Sequence, residues 1–471
     1  MKIRSFALIA LAAACGQAFA LSPAQVADSG TVKIYMSGAS ASRAIIGGLF
    51  TEHCTAADLD VAYSAIGSFG GAAFSANGDA HRVYSCTMQA SSPILPGKKV
   101  ALFKSDVGGS GQGVFPVHAM SARGFLNLAT CGSRAASVPN YVCSGEQQQV
   151  PMAGMSDVEP GMFKGINVPK DDPTYPGDGL SDIQIGELEV NPLFQTIFAV
   201  AVNKALRDAM QTAQGLTVGD AGPEPTISRT TAASYFAGVL TDPTAGLGWQ
   251  PIVSAGDAKK ATRVNICRRV DGSGTQASAN AQFLQFPCNG AALNVADKTY
   301  SDNGLTQAVA SVGTSGKAFV FEGSSTGNVI SCLNQAETNG AYAIGHVSKE
   351  NVPATSGTIG NWRHVKLDGV SANRDNTKSG QYDYFFESTL QWNKTLFSSL
   401  SSDQQGFLTA FAAQAKLPVS LAKLASATQN GVAALPDTYA GAFGTGTANE
   451  ITFGSRVTRG GNSCTPATFA K

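Results

Sequence analysis

Charge is scarce in this chain: only 14% of its 471 residues are Asp, Glu, Lys or Arg, and 33 basic residues meet 33 acidic ones. That balance excludes the basic surplus by which nucleic-acid-binding surfaces are recognised. Histidine is scarcer still. The five histidines (53, 81, 118, 346 and 364) show no HExxH or comparable metal-ligand spacing, so they read as scattered structural or surface residues. No cysteine pair has CxxC or zinc-finger spacing, which removes a structural metal from the reading. No apolar run reaches the ~20 residues that a membrane span needs. "GGSGQG" (Gly108–Gly113) lacks the lysine and spacing of a nucleotide-binding P-loop. "GSFGG" carries its serine second rather than third, so it is not a nucleophile elbow. Internal repeats and low-complexity tracts are missing as well.

Length and glycine content say what is there. A chain of 471 residues with 52 glycines is too long for one small sandwich and reads as two loop-rich lobes. The N-terminus has the form of a secretory signal: Lys2 and Arg4, an apolar stretch from Phe6 to Ala14, then Ala18-Phe19-Ala20 as a small-x-small cleavage site. Cleavage near Ala20 would leave 31 basic against 33 acidic residues, a net charge of −2. A lipoprotein site at Cys15 is the weaker alternative, because the Leu of "LAAAC" stands one place too far from the cysteine. The expected location is periplasmic or secreted. Of nine cysteines, eight remain outside the leader, an even number suited to an oxidising compartment. Eight cysteines allow 105 pairings. Proximity suggests Cys54–Cys86, Cys131–Cys143 and Cys267–Cys288, with Cys332 and Cys464 joined.

Apolar strands alternate with Gly/Ser loops and helical patterns. "TVKIYM" leads into "SGASAS" and "RAIIGGLFTEHC". "DVAYSAI" leads into "GSFGG", and "KKVALFK" into "SDVGGSGQG". "PLFQTIFAVAVN" precedes "KALRDAMQ", and "ATRVNICRR" precedes "VDGSGT" and "QASANAQFLQF". This alternation predicts an α/β protein with ligands at the carboxyl ends of strands. The segment from Lys164 to Glu189 reads as a turn-rich excursion. Its Asp171, Asp172, Asp178 and Asp182 do not have EF-hand spacing and read as a solvated acidic loop. Residues 352–381 are also turn-rich, and the tail from Thr389 reads as helical.

Three of the loops suit an anion. In "RRVDGSGTQ" (Arg268–Gln276), Ser273-Gly274-Thr275 falls where a helix starts, with free N–H groups and a partial positive charge. Gly274 admits close approach to the backbone, the hydroxyls add donors, and an arginine supplies a fork matched to a tetrahedral oxyanion. Read alone, a capped helix beside surface arginines explains the same residues equally well. Ser42 after "SGASA" and Ser68 in "IGSFGG" mark two further loops of the same kind.

In order, these segments resemble the phosphate-binding proteins of bacterial ABC phosphate transporters, of the type II periplasmic binding protein superfamily. Gly38-Ala39-Ser40-Ala41-Ser42 is similar to the family's Gly-Ala-x-Ala-Thr loop. Tyr63 to Gly71 is similar to its Tyr-x-x-Ile-Gly-Ser-x-Gly-Gly segment. "MSDVEP" (Met155–Pro160) is similar to its Ser-Asp turn, and Arg269 to Thr275 reproduces Arg-x-Asp-Gly-Ser-Gly-Thr. The likeness extends through "GAYAIGHVS" and "LDGVSANRDNTKSGQYDYFF".

The resemblance implies two lobes with mixed sheets and a cleft: lobe I over 31–187, lobe II over 188–351, and a return to lobe I with a helical segment over 352–471. It implies that Ser42, the backbone of Arg43, and Ser68 hold the anion from one side. Arg269, buttressed by Asp271, with Ser273, Gly274 and Thr275, would hold it from the other. Asp157 would accept the proton of a bound phosphate, with Asp106 as the rival carboxylate. Phosphate can donate that proton and sulfate at neutral pH cannot. The expectation is a monomeric, exported, non-enzymatic solute-binding protein for phosphate or a related oxyanion, serving an ABC permease, with no cofactor and no metal. A secreted phosphatase using the same cleft, and an extracellular scaffold or adhesion protein reusing the fold, are the alternatives.

Overall fold

A computed structural model describes residues 21–64, 81–169, 177–241, 248–297, 300–301, 318–353, 360–438, 441–442 and 444–470. The expected leader, the second glycine-rich loop with Ser68, and Asp171 and Asp172 lie outside the described residues.

Among those residues fourteen strands form one mixed sheet. The first part of the chain gives β1 (Val32–Gly38), β2 (Asp60–Ser64), β3 (His81–Thr87), β4 (Lys99–Ser105), β5 (Tyr141–Cys143) and β6 (Ala153–Ser156). The long β7 (Leu188–Asn203) follows. Then come β8 (Val264–Arg269), β9 (Tyr300–Ser301), β10 (Ala318–Gly323), β11 (Ala343–Ser348), β12 (Trp362–His364), β13 (Phe385–Asn393) and β14 (Val432–Ala434). The order across the sheet is β9-β10-β8-β11-β7-β13-β6-β1-β4-β3-β2-β5, with β12 and β14 also paired to β7. In one half β1 runs parallel to β4 and β6; in the other β8 runs parallel to β10 and β11. The antiparallel pair β7 and β13 joins the halves. The α/β class with mixed sheets is therefore the observed one.

Sequence explains why these strands are central. β7 from Leu193 to Asn203 is buried at every position: its Leu, Phe, Ile, Ala and Val residues suit a strand covered on both faces, and the buried Gln195 and Asn203 donate from their side chains to the carbonyls of Val457 and Ala341. Two large apolar cores flank the sheet. One packs Ile34, Met36, Val100 and Leu102 against α1 (Arg43–Thr51) through Ile45, Ile46 and Phe50. The other gathers Val200, Val202, Val264 and Ile266 with Leu206 and Met210 of α2 (Lys204–Ala213), and reaches Val158, Met162 and Phe163. Each such side chain contributes roughly 1.5–3 kcal/mol by leaving water. The tail departs from its helical reading at both ends: Thr389 to Asn393 complete β13, and β14 follows later. Tyr384 and Phe385 are fully buried and Tyr382 and Trp362 nearly so, which makes this region packed core.

Disulfides Cys54–Cys86 and Cys131–Cys143 form as sequence proximity suggested. The other two are a correction: Cys267 pairs with Cys332, and Cys288 with Cys464. Cys267 points from β8 into the core that α4 (Thr326–Thr338) covers, and Cys332 lies on that helix. Cys288 lies beyond the helical segment after β8, beside the C-terminal strap.

Candidate functional site

The loops after β1, β4 and β6 meet the loops after β8 and β10, at the carboxyl ends of parallel strands from both halves. The sequence "RRVDGSGTQ" lies at the centre. Its two arginines alternate faces, as strand neighbours must. Arg268 turns away from the loops, with Nη2 2.6 Å from Glu322 Oε1 and Nη1 donating to the Ala296 carbonyl at 2.6 Å. Arg269 turns inward and is 1% exposed. It donates to Ser40 Oγ at 2.9 Å from the opposite half, and to the carbonyls of Ser324 and Gly323 at 2.7 and 3.1 Å.

The chain then turns at Gly272, whose φ of +80° suits glycine. It enters α3 (Gly274–Ala279) with Ser273 as N-cap, its Oγ accepting from Gln276 N. Gly274 and Thr275 thus occupy the first turn, where N–H groups have no partner within the helix. Asp271 is half-buried just before the turn.

Asp157 completes the cluster. It follows β6, is 1% exposed, and takes hydrogen bonds to Oδ2 from Ser110 Oγ at 3.2 Å and Thr275 Oγ1 at 3.3 Å. Its Oδ1 is buried with no hydrogen-bond partner among the described residues. Burial pushes the carboxyl up to about 6, against the pull of Arg269 and the two hydroxyls. Nearby, Glu350 is pushed up to about 8, again by burial above all, with the Asp157 charge adding to it. His346, against Gln276, is driven down to about 3 by burial and by the two arginines, so it is neutral. The arginine is thus the fixed charge here, and Asp157 and Glu350 both hold a proton more tightly than an ordinary carboxyl.

Asp106, the rival acceptor, is occupied elsewhere. It lies 2.5 Å from both Arg43 Nε and Lys104 Nζ. Burial alone would raise its carboxyl, but Lys104, Arg43 and Arg82 outweigh that and hold it below the usual range. Arg43 therefore directs its side chain to an internal ion pair, and its backbone N–H reaches the Ser40 carbonyl at 3.3 Å. Ser42 is fully buried and donates to the Ala39 carbonyl at 3.4 Å. In the first loop, Ser40 rather than Ser42 touches Arg269.

Ser110 is the residue that the sequence reading missed. β4 is the direct neighbour of β1, and its loop Gly108–Gly113 lies on the arginine loop. Gly111 N–H donates to the Gly272 carbonyl at 2.7 Å. A Cβ at Gly274 would overlap Ser110 Oγ and come within 2.8 Å of Asp157 Cβ. The strand leading to Ser68 is β2, beyond β4 and β3. Three inter-strand steps amount to about 14 Å. The available signal is the strand-then-glycine pattern of "KKVALFKSDVGGSGQG", the same pattern that marks the other loops of the site.

No protein-family model matches the chain, and no curated protein matches it by sequence. Solved structures do. A phosphate ABC transporter substrate-binding protein with bound phosphate from Clostridium perfringens aligns at 13% identity and TM-score 0.39, covering 81% of this chain and 92% of that one. An ABC-type phosphate transport receptor from Vibrio cholerae aligns at 12% identity and TM-score 0.36, covering 80% and 93%. Likeness at this level is confined to the general course of the fold.

Proposed function

We propose that the chain is an exported solute-binding protein that captures an oxyanion, inorganic phosphate above all, between the two halves of its sheet and hands it to an ABC importer. One observation carries the reading: a buried carboxylate oxygen, Asp157 Oδ1, has no partner among the described residues and lies under the electrostatic influence of the buried Arg269. A tetrahedral anion with one hydrogen would satisfy both, giving its proton to Oδ1 and its oxygens to Arg269. Ser110, Ser273, Thr275 and the first-turn N–H groups of Gly274 and Thr275 would supply the remaining donors, with Ser40 and Ser42 closing the other side. Asp271 would steady the arginine. Arg43 would serve by shaping the first loop through Asp106. The two halves of the sheet would act as lobes, with β7 and β13 as the crossing strands.

Titration calorimetry with phosphate and sulfate tests this. Phosphate is expected to bind one to one and sulfate not at neutral pH. Arg269→Ala should weaken phosphate at least about 30-fold, the cost of removing one partner of a buried charged contact. No heat from phosphate, sulfate, molybdate or phosphonates would favour a scaffold role, and turnover of a phosphate ester with added divalent metal would favour an enzyme.

A further inference from the structure

The C-terminal strap, residues 454–470, crosses behind the site and is anchored to three separate bodies. It folds as a short hairpin, Val457–Thr458 against Thr468–Phe469. The crossing strands hold its start: Gln195 Nε2 donates to the Val457 carbonyl at 2.5 Å, Arg459 N–H to Glu387 Oε1 at 2.9 Å, and Arg459 Nε to the Phe385 carbonyl at 3.0 Å. The turn after Asp157 holds its middle, where Ser463 N–H donates to Glu159 Oε1 at 2.7 Å and Ser463 Oγ also meets Glu159. The helical segment that starts at Gly274 holds its far side, covalently, through Cys288–Cys464.

Glu159 is two residues from Asp157, and Cys288 lies at the far end of the segment that begins with the anion-seat residues. The strap therefore ties one half of the site to the other. Its grip is discrete. A cavity of about 790 Å³ opens between the strap and that segment, lined among others by Arg229, Gln282, Asp383, Arg459 and Phe469. Besides the disulfide, the strap reaches that segment through Arg459 Nη2, which donates to Gln282 Oε1 at 3.3 Å. The disulfide is the bond a reductant can reach. Cys288 and Cys464 are both exposed, whereas Cys54, Cys86, Cys143, Cys267 and Cys332 are buried and Cys131 is half-buried.

We propose that Cys288–Cys464 is a reducible latch that keeps the two halves of the site together and slows ligand exchange. A dithiol reductant would open it: the Sγ–Sγ bond breaks, two electrons and two protons pass to the cysteines, two thiols form, and the dithiol becomes a disulfide. The site halves also meet through apolar surface, since Met162 and Phe163 share one core with Phe283 and Leu284. Opening the latch thus shifts the balance between closed and open forms without unfolding either half.

The ligand-exchange part rests on the oxyanion reading, so the primary readout is independent of ligand. The Gly111 N–H bond to Gly272 spans the two halves, and its hydrogen exchange reports their separation. Cys288→Ser with Cys464→Ser should speed that exchange about tenfold. Cys131→Ser with Cys143→Ser, remote from the seam, should leave it unchanged. Should the first variant fold poorly, folded wild type is reduced by a dithiol and alkylated, with Cys288 and Cys464 expected to be labelled first. Phosphate dissociation, followed by stopped flow, should quicken by about the same factor. Equal exchange at Gly111 with and without the bond overturns the latch. A wild type that shows the exchange difference but binds no phosphate overturns the oxyanion reading alone.

Discussion

A carboxylate sealed from water lowers the stability of the fold that holds it, and Asp157, with one oxygen unpartnered among the described residues, is such a group. Its ordinary value is 3.8 and its value in the fold about 6. The folded protein keeps a proton that the unfolded chain would release. The stability tied to that proton is full below 3.8 and is lost as pH rises through 6. The difference corresponds to about 3 kcal/mol at pH 8. Asp157→Asn should therefore raise the unfolding free energy of the ligand-free protein by up to about 3 kcal/mol at pH 8, and by almost nothing near pH 3, as read from urea titrations. The same group should make anion choice depend on pH. Once protonated it can donate rather than only accept, so sulfate affinity is expected to rise between pH 7 and pH 5. A sulfate affinity that is flat across this range would remove Asp157 from the recognition step.

At the scale of elements, the site depends on loops that touch backbone to backbone. Gly274 shows how closely: its hydrogen faces Ser110 and Asp157 at distances where a methyl group has no room. Gly274→Ala should push the β4 loop off the arginine loop, costing about 1–3 kcal/mol of stability, the usual price of overpacking. It should weaken phosphate more than that loss explains, which calorimetry beside thermal unfolding would separate. Most elements here were legible in the sequence, because runs such as Leu193–Asn203 and Val264–Arg269 announce buried strands and Ser273 announces a helix start. The order of the motifs named Arg269 and Asp157 as candidates, and the fold buries both side chains. Ser110 was not legible. Which strand lies beside β1 is decided by pairing across dozens of residues, and β4 and β3 lie between β1 and β2. The use of Arg43 and Asp106 as an internal ion pair was hidden for the same reason, since their partners are 63 residues apart.

For the whole molecule, the disulfides raise the question of how the chain reaches its covalent structure. Spacing along the sequence pointed to Cys267–Cys288, and that pairing was wrong because a strand and the helix covering it set the partner of Cys267. An oxidant acting on a chain as it emerges faces the same temptation. It meets Cys267 and Cys288, 21 positions apart, before Cys332 and well before Cys464 exist. The native bonds have separations of 65 and 176 residues. Oxidation in order of appearance would trap the wrong pair, and only thiol–disulfide exchange could release it. Oxidative refolding without a shuffling thiol is expected to accumulate a species with Cys267 joined to Cys288, seen by peptide mapping, and a thiol–disulfide isomerase should clear it. The bond of the strap is thus also a late event: it can form only after the 176-residue stretch up to Cys464 has been made and Cys288 has been brought beside it.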